Sequence, residues 1–315
     1  MRIVSLLASA TEMIAELGCL DQLVGRSHEC DYPAAVTSLP MVSTVTIDTT
    51  TSSSEIDSQI KHLAHARLDP TDAALQALSI YAIDTTLLQQ LRPDVIFTQT
   101  QCEVCAVSER DVERAVTELT GLQPRIVALT PHRLADVWED VLRVGAAIER
   151  PEQARQLIHG YRARLEQLRR RCSMLGGQYR PRVAVLEWLD PLMGAGNWTP
   201  ELVACAGAES LFGEIGQHTP WLSWEELQTA DPDALILAPC GFPLARTMQD
   251  LPLLQQHPAW GRLRAVQARQ VYAIDGNAYF NRSGPRLVES AELLAYALWG
   301  TRANVEVDLT AVQHI

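Results

Sequence analysis

Short apolar runs alternate with helix-spaced stretches along almost the whole chain, and this alternation restricts the fold to the α/β class. The strand candidates are Ile3–Leu6, Val95–Thr98, Ile126–Leu129, Val183–Trp188, Leu235–Ala238 and Val271–Ile274, with a shorter one at Leu23-Val-Gly. Runs of this kind suit parallel strands buried on both faces. Helix starts are marked between them. Ser9-Ala-Thr-Glu12 has capping-box spacing and predicts the start of the first helix, and Ser52-Ser-Ser-Glu55 offers a second such start. Thr199-Pro-Glu201 sets a cap, a first-turn proline and an acid in order, and Ser283-Gly-Pro285 opens the last helix. Residues 44–56 are rich in Thr and Ser and read as a surface loop.

The pattern repeats. Leu91-Arg-Pro-Asp94 and Ala230-Asp-Pro-Asp233 each follow a Leu-Gln stretch and lead into an apolar run. Gln123-Pro-Arg-Ile-Val-Ala-Leu129 resembles Ala268-Arg-Gln-Val-Tyr-Ala-Ile274, and Arg2-Ile-Val-Ser resembles Arg182-Val-Ala-Val. The order is the same in both halves, which points to a duplication. Between them, Pro131 to about Cys172 keeps helical spacing, with a break expected at Glu149-Arg-Pro151 and a basic run, Arg169-Arg-Arg171, at its end. The expected organisation is an α/β lobe over 1–130, a connecting helix over 131–175 and a second α/β lobe over 176–315.

Charge narrows the function. The net charge of −12 disfavours a phosphate backbone as partner, so no nucleic acid is expected. No apolar run reaches the roughly 18 residues of a membrane span. Glu12 and Glu16 interrupt the only stretch that resembles an export leader, so a cytoplasmic location is expected. The chain has no Gly-x-Ser-x-Gly elbow, phosphate loop or Gly-x-Gly-x-x-Gly fingerprint.

Ligands of α/β sheets sit beyond the carboxyl ends of the strands, where this chain places its unusual residues. Ser9 and Thr11 follow the first strand and serve either as ligand donors or as helix caps. His28 and Cys30 follow the second, and Cys102 and Cys105 lie beyond Val95–Thr98. The second half adds Glu187 and Trp188, then Trp198, Cys240, Asn277, Tyr279, Phe280 and Arg282. Glu187 and Asp190 read either as an acid/base pair or as caps of the next loop. Trp188, Trp198, Tyr279 and Phe280 form an aromatic wall or cover the strand ends, and Arg282 and Arg286 pair with ligand anions or brace the last helix.

Ser5-Leu-Leu-Ala-Ser-Ala-Thr-Glu12, His28-Glu-Cys-Asp-Tyr-Pro33, Glu187-Trp-Leu-Asp-Pro191 and Gly284-Pro-Arg286 resemble the cobalamin-binding branch of the iron-siderophore/cobalamin periplasmic binding proteins. The resemblance runs from about Arg2 to Leu298, with Ala8 and Ser283 standing where that pattern has Pro. It implies the class III architecture: two Rossmann-like lobes with parallel sheets, joined by a long helix and holding a small molecule between them. It also implies cobalamin or another corrinoid as ligand, and membrane subunits of an ABC importer as partner. In that setting His28 is either an axial ligand to the corrin cobalt or a hydrogen-bonding group.

Cysteines open an alternative. Cys19, Cys172 and Cys205 lie in apolar helical contexts, whereas Cys30, Cys102, Cys105 and Cys240 all follow strands. Brought together, those four suit an iron–sulfur cluster or Zn²⁺, which makes a cytoplasmic metalloprotein or redox enzyme the second reading. Cys102-x-x-Cys105 before a helix is also the setting of a redox dithiol.

Overall fold

The computed structural model describes residues 1–44, 48, 51–65, 82–99, 116, 117 and 120–315. The chain divides into two compact units, one of residues 1–51, 55–131 and 136–158, the other of residues 52–54, 132–135 and 159–315.

In the first unit, β1 (Ile3–Ser5) leads into α1 (Ala8–Glu16), then β2 (Leu23–Arg26), β3 (Ser43–Thr44) and α2 (Ser53–His65). There follow β4 (Ala82–Ile83), α3 (Thr85–Leu91), β5 (Val95–Gln99) and β6 (Arg125–Leu129). Four strands form a parallel sheet in the order β2-β1-β5-β6, and β3 and β4 make a separate antiparallel pair. Val4, Leu6, Ile96 and Ile126 pack with Val42, Leu88 and Val116 to form its core. Ile3 and Val4 of β1 are fully buried in this sheet.

α1 corrects one expectation. Its N-cap is Leu7, in extended conformation and with no side-chain cap bond, so Ser9 and Glu12 lie inside the helix and are buried. The strand runs straight into the helix, and the spacing that mimics a capping box falls inside it. α2 starts at Ser53, within the stretch read as a loop, and Ser53 Oγ donates to Asp250 Oδ2 at 2.5 Å.

The expected connector is two helices, α4 (Leu134–Ala147) and α5 (Pro151–Gly176). They part where expected: Glu149 takes φ 60° and Pro151 restarts the helix. The helices meet closely, since a Cβ on Gly145 would lie 2.5 Å from that of Ala154. Arg169–Arg171 falls inside α5 and not at its end. There Arg170 pairs with Glu166 at 2.7 Å, and Arg171 donates to the carbonyls of Ala303 and Asn304.

The second unit holds β7 (Arg182–Leu189), β8 (Leu192–Gly194), α6 (Thr199–Cys205), β9 (Glu209–Ser210), α7 (Trp224–Ala230) and β10 (Ala234–Leu237). It ends with α8 (Leu244–Gln255), α9 (Arg264–Gln267), β11 (Val271–Ile274), α10 (Leu287–Trp299) and β12 (Val312–His314). The sheet order is β12-β11-β10-β7-β8, with β9 beside β7. Its centre is parallel, while β8 and β12 are antiparallel edge strands that the sequence pattern misses because each has only three residues. Ala184, Leu186, Leu235, Leu237, Val271 and Ala273 form the middle of its core, packed on Leu251, Leu254 and Leu263. No helix among the described residues is long and apolar enough to cross a membrane.

The two units share a hydrogen-bond pattern. Asp94 Oδ2 accepts from Arg2 N at 2.7 Å while Asp94 N donates to Arg2 O at 2.8 Å. In the second unit Asp233 Oδ2 accepts from Arg182 N at 2.8 Å and Asp233 N donates to Arg182 O at 2.8 Å. Each pair follows a seven-residue helix that ends on a left-handed residue, Arg92 or Asp231, both at φ 44°.

One buried charge should give the first unit a distinct pH response. Asp140 on α4 is 3% exposed, its Oδ1 lies 3.2 Å from Arg143, and its Oδ2 meets no partner among the described residues. Burial pushes its carboxyl up to about 7, against the pull of Arg143. The folded chain therefore holds a proton that the unfolded chain has lost. That stabilisation is complete below the ordinary carboxylate range and is lost as pH rises toward 7. Asp140→Asn should be more stable than the parent at pH 8, by a margin on the order of a few kcal/mol, and nearly equal at pH 4. Urea denaturation at the two pH values checks this, and an equal margin at both would contradict it.

Candidate functional site

Small polar groups meet at the carboxyl end of β1. Thr11 Oγ1 lies 3.0 Å from Cys30 Sγ and 3.3 Å from Leu7 O, and Cys30 Sγ lies 3.8 Å from Ser5 O. Ser9, Thr11 and Cys30 are all buried, and the Cys30 thiol packs between Thr11 and the end of the first strand. His28 is half-buried. Its Nδ1 stands 2.9 Å from Ser43 Oγ, and its N–H donates to the same oxygen at 3.3 Å. Desolvation lowers the pKa of His28 below the usual histidine value, opposed by Glu29.

The carboxyl end of the second sheet is richer. Glu187 lies two residues before the end of β7, with Thr219 Oγ1 donating to its Oε2 at 2.9 Å. Desolvation pushes its carboxyl above the ordinary range, and the Thr219 bond and nearby His218 offset this only in part. Trp188 donates from Nε1 to Asp190 O at 3.1 Å, which holds the ring. Its ring centroid lies 5.1 Å from that of Phe242, and the Arg246 guanidinium sits 4.7 Å above Phe242 on the loop after β10.

Other expected contacts mostly brace the loops. Trp198 Nε1 donates to Phe280 O at 2.6 Å, and both residues are buried. Phe280 has φ 63° and donates its N–H to Ser290 Oγ at 3.0 Å. Asn277 N donates to Phe242 O at 3.0 Å, and Asn277 Oδ1 accepts from Arg282 Nη2 at 3.1 Å. The Arg286 guanidinium lies 5.5 Å from the centre of the Tyr279 ring. Asn281 joins two loops by donating from Nδ2 to Ala238 O at 3.1 Å and Gly276 O at 2.9 Å.

The thiols do not assemble a metal centre among the described residues. Cys30 is buried beside Thr11, Cys240 is exposed in the second unit, and Cys102 and Cys105 lie outside the described residues. Among the described residues, no three His, Cys, Asp or Glu side chains gather closely enough to hold a metal ion. Nothing here supports an iron–sulfur cluster or zinc.

His218 has no metal-ligand spacing in the sequence, and Thr219 beside it lies in a segment with no motif of its own. Only long-range pairing brings that segment to Glu187: Asn197 N donates to Gln217 O at 2.7 Å, and Gly194 N to Pro220 O at 3.0 Å.

The loops after β10 and β11 touch at Gly276, where an added Cβ would lie 2.0 Å from Pro239 O. Backbone cannot yield there as a flexible side chain would. Gly276→Ala should cost about 1–3 kcal/mol, lowering Tm by several degrees in calorimetry. An unchanged Tm would show that the two loops part freely.

The family model described as periplasmic binding protein matches residues 3–278. A vitamin B12-binding protein of Pectobacterium atrosepticum is 22% identical over 301 residues, covering 94% of this chain and 88% of that protein. Among solved structures, a periplasmic heme-binding protein of Pseudomonas aeruginosa has a TM-score of 0.68 at 21% identity, covering 95% of this chain and 92% of that one. The periplasmic vitamin B12-binding protein of Vibrio cholerae has a TM-score of 0.61 at 20% identity, covering 97% and 98%. At these identities the structural likeness speaks to fold alone.

Proposed function

Because the chain belongs to the periplasmic binding protein family, whose members are solute-binding proteins, we propose that its solute is a corrinoid. Its fold is the family's class III form, two α/β lobes with parallel sheets and a connecting helix. Association with an ABC transporter fits the family as well, and importer membrane subunits are the partner we propose.

The observation that carries the ligand reading is the Trp188–Phe242 pair at the carboxyl end of the second sheet. A flat macrocycle fringed with amides needs an apolar wall and a few fixed polar groups. Trp188 is held by its own hydrogen bond to Asp190 O and packs on Phe242, and Arg246 lies over the far ring. Asn277 and Arg282 stand on the neighbouring loop, already paired with each other. A named vitamin B12-binding relative that aligns along 94% of the chain supports the same class of ligand.

Titration calorimetry with cyanocobalamin and aquocobinamide tests the reading. The parent chain should bind one corrinoid with a Kd on the order of micromolar or tighter. Trp188→Ala should weaken binding about tenfold or more, a loss of about 1.4 kcal/mol, with its thermal unfolding followed in parallel. No binding of either corrinoid overturns the proposal, and saturable binding of ferric haem in their place moves it to a haem receptor. A cytoplasmic location belongs to the same proposal, and recovery of the chain in a periplasmic fraction overturns that part.

A further inference from the structure

We infer that Cys172 on α5 and Cys205 at the end of α6 form a redox-sensitive dithiol, which a disulfide oxidant closes into a covalent bond between the two helices.

Both cysteines are free and stand in apolar helical stretches far apart in the chain. Packing brings them together, first through the backbone. Gly207, two residues past Cys205, takes φ 78°, and a Cβ added there would lie 2.8 Å from Cys172 Cβ and 3.0 Å from the Cys172 carbonyl carbon. The chain leaving α6 therefore rests directly on α5 at Cys172. Ala206, between Cys205 and that glycine, accepts from Trp299 Nε1 at 2.8 Å. The same ring packs on the last residue of α5, since a Cβ on Gly176 would lie 3.2 Å from it. One tryptophan thus fixes the end of α6 against the last turns of α5.

Electrostatics places Cys205 on the same face. The groups of α5 that act on its thiol are Arg169, Glu166 and Cys172. They are spaced three residues apart, so they line one side of the helix. Burial pushes both thiols up to about 11, against the pull of Arg169 on Cys205 and of Arg171 on Cys172. Both are protonated at neutral pH, and attack is slow there because only the thiolate is the nucleophile. Cys172 is fully buried, whereas Cys205 is partly exposed, so an oxidant meets Cys205 first.

The step balances with a low-molecular-weight disulfide such as oxidised glutathione. Solvent base removes the Cys205 proton, the thiolate attacks one glutathione sulfur, and the other glutathione leaves as thiolate. Cys172 then loses its proton and attacks Cys205 Sγ, expelling the second glutathione. Two protein thiols are oxidised, one reagent disulfide is reduced to two thiols, and the two protons end on the leaving sulfurs. In a reducing cytoplasm the pair stays open, and it closes where such an oxidant is present.

The test holds the native chain with excess oxidised glutathione at mildly alkaline pH, alkylates the remaining thiols and maps linked peptides by mass spectrometry. A peptide joining Cys172 to Cys205 is expected. The oxidised chain should unfold several degrees above the reduced one, because the bond closes a loop of about thirty residues in the unfolded chain. Cys205→Ser, oxidised in the same way, should lack that gain. Cys172→Ser should stop at a glutathione held on Cys205, since the resolving thiol is gone. A parent that keeps glutathione on Cys205, pairs either residue with another cysteine or leaves both thiols free after prolonged oxidation overturns the pairing. A linked peptide that forms only after unfolding in urea overturns it as well.

Discussion

Two aspartates hold the register on which both sheets depend. Parallel strands have no hairpin to align them, so register must come from elsewhere. Asp94 and Asp233 each bind the start of the neighbouring strand, at Arg2 just before β1 or at Arg182, the first residue of β7, through one backbone and one carboxylate hydrogen bond. A charge-assisted bond of this kind is worth about 1.5–3 kcal/mol. The larger effect is geometric: a slip of one residue would turn Val4 or Ala184 away from its core. The pairing observed, Ile3 with Val95 and Ala184 with Leu235, follows from that anchor.

Anchoring one end of each sheet leaves the other end to carry variable loops, and the two ends differ in how polar groups are treated. At the carboxyl end of the second sheet, most polar atoms bond to neighbouring loops. Trp198 holds Phe280, Asn281 holds Ala238 and Gly276, and Thr219 holds Glu187. Such bonds cost little flexibility elsewhere and fix a few side chains, among them Trp188 and His218, against a settled backbone. Preorganisation of this kind lowers the entropy lost when a rigid ligand binds.

Much of this was legible before any coordinates. Val271–Ile274 was read with its observed bounds, and the break before Pro151 was read from a proline that cannot continue a helix. Pro200 and Glu201 do sit in the first turn of α6, although the cap is Trp198 and not Thr199. Errors arose where a local pattern met a tertiary constraint. Ser9 and Glu12 have capping spacing, yet β1 runs into α1 without a turn and carries both inside the helix. The edge strands β8 and β12 are too short for periodicity to register, and pairing with β7 and β11 creates them. Thr219 carried no local signal because its partner, Glu187, lies 32 residues away in the chain.

What the sequence determined by itself was the alternation of strand and helix, the repeat of the Pro-Asp turn in both halves and the family, because each is written in neighbouring residues. Tertiary structure alone decided which polar side chains stay available. Burial set Thr11 and Cys30 against each other at the strand end, and long-range backbone pairing brought Thr219 to Glu187 and left His218 exposed. The physical reason is that propensity and capping act within a few residues. The desolvation of a carboxylate, or the choice of tautomer at an imidazole, depends on whichever distant segment packs against it.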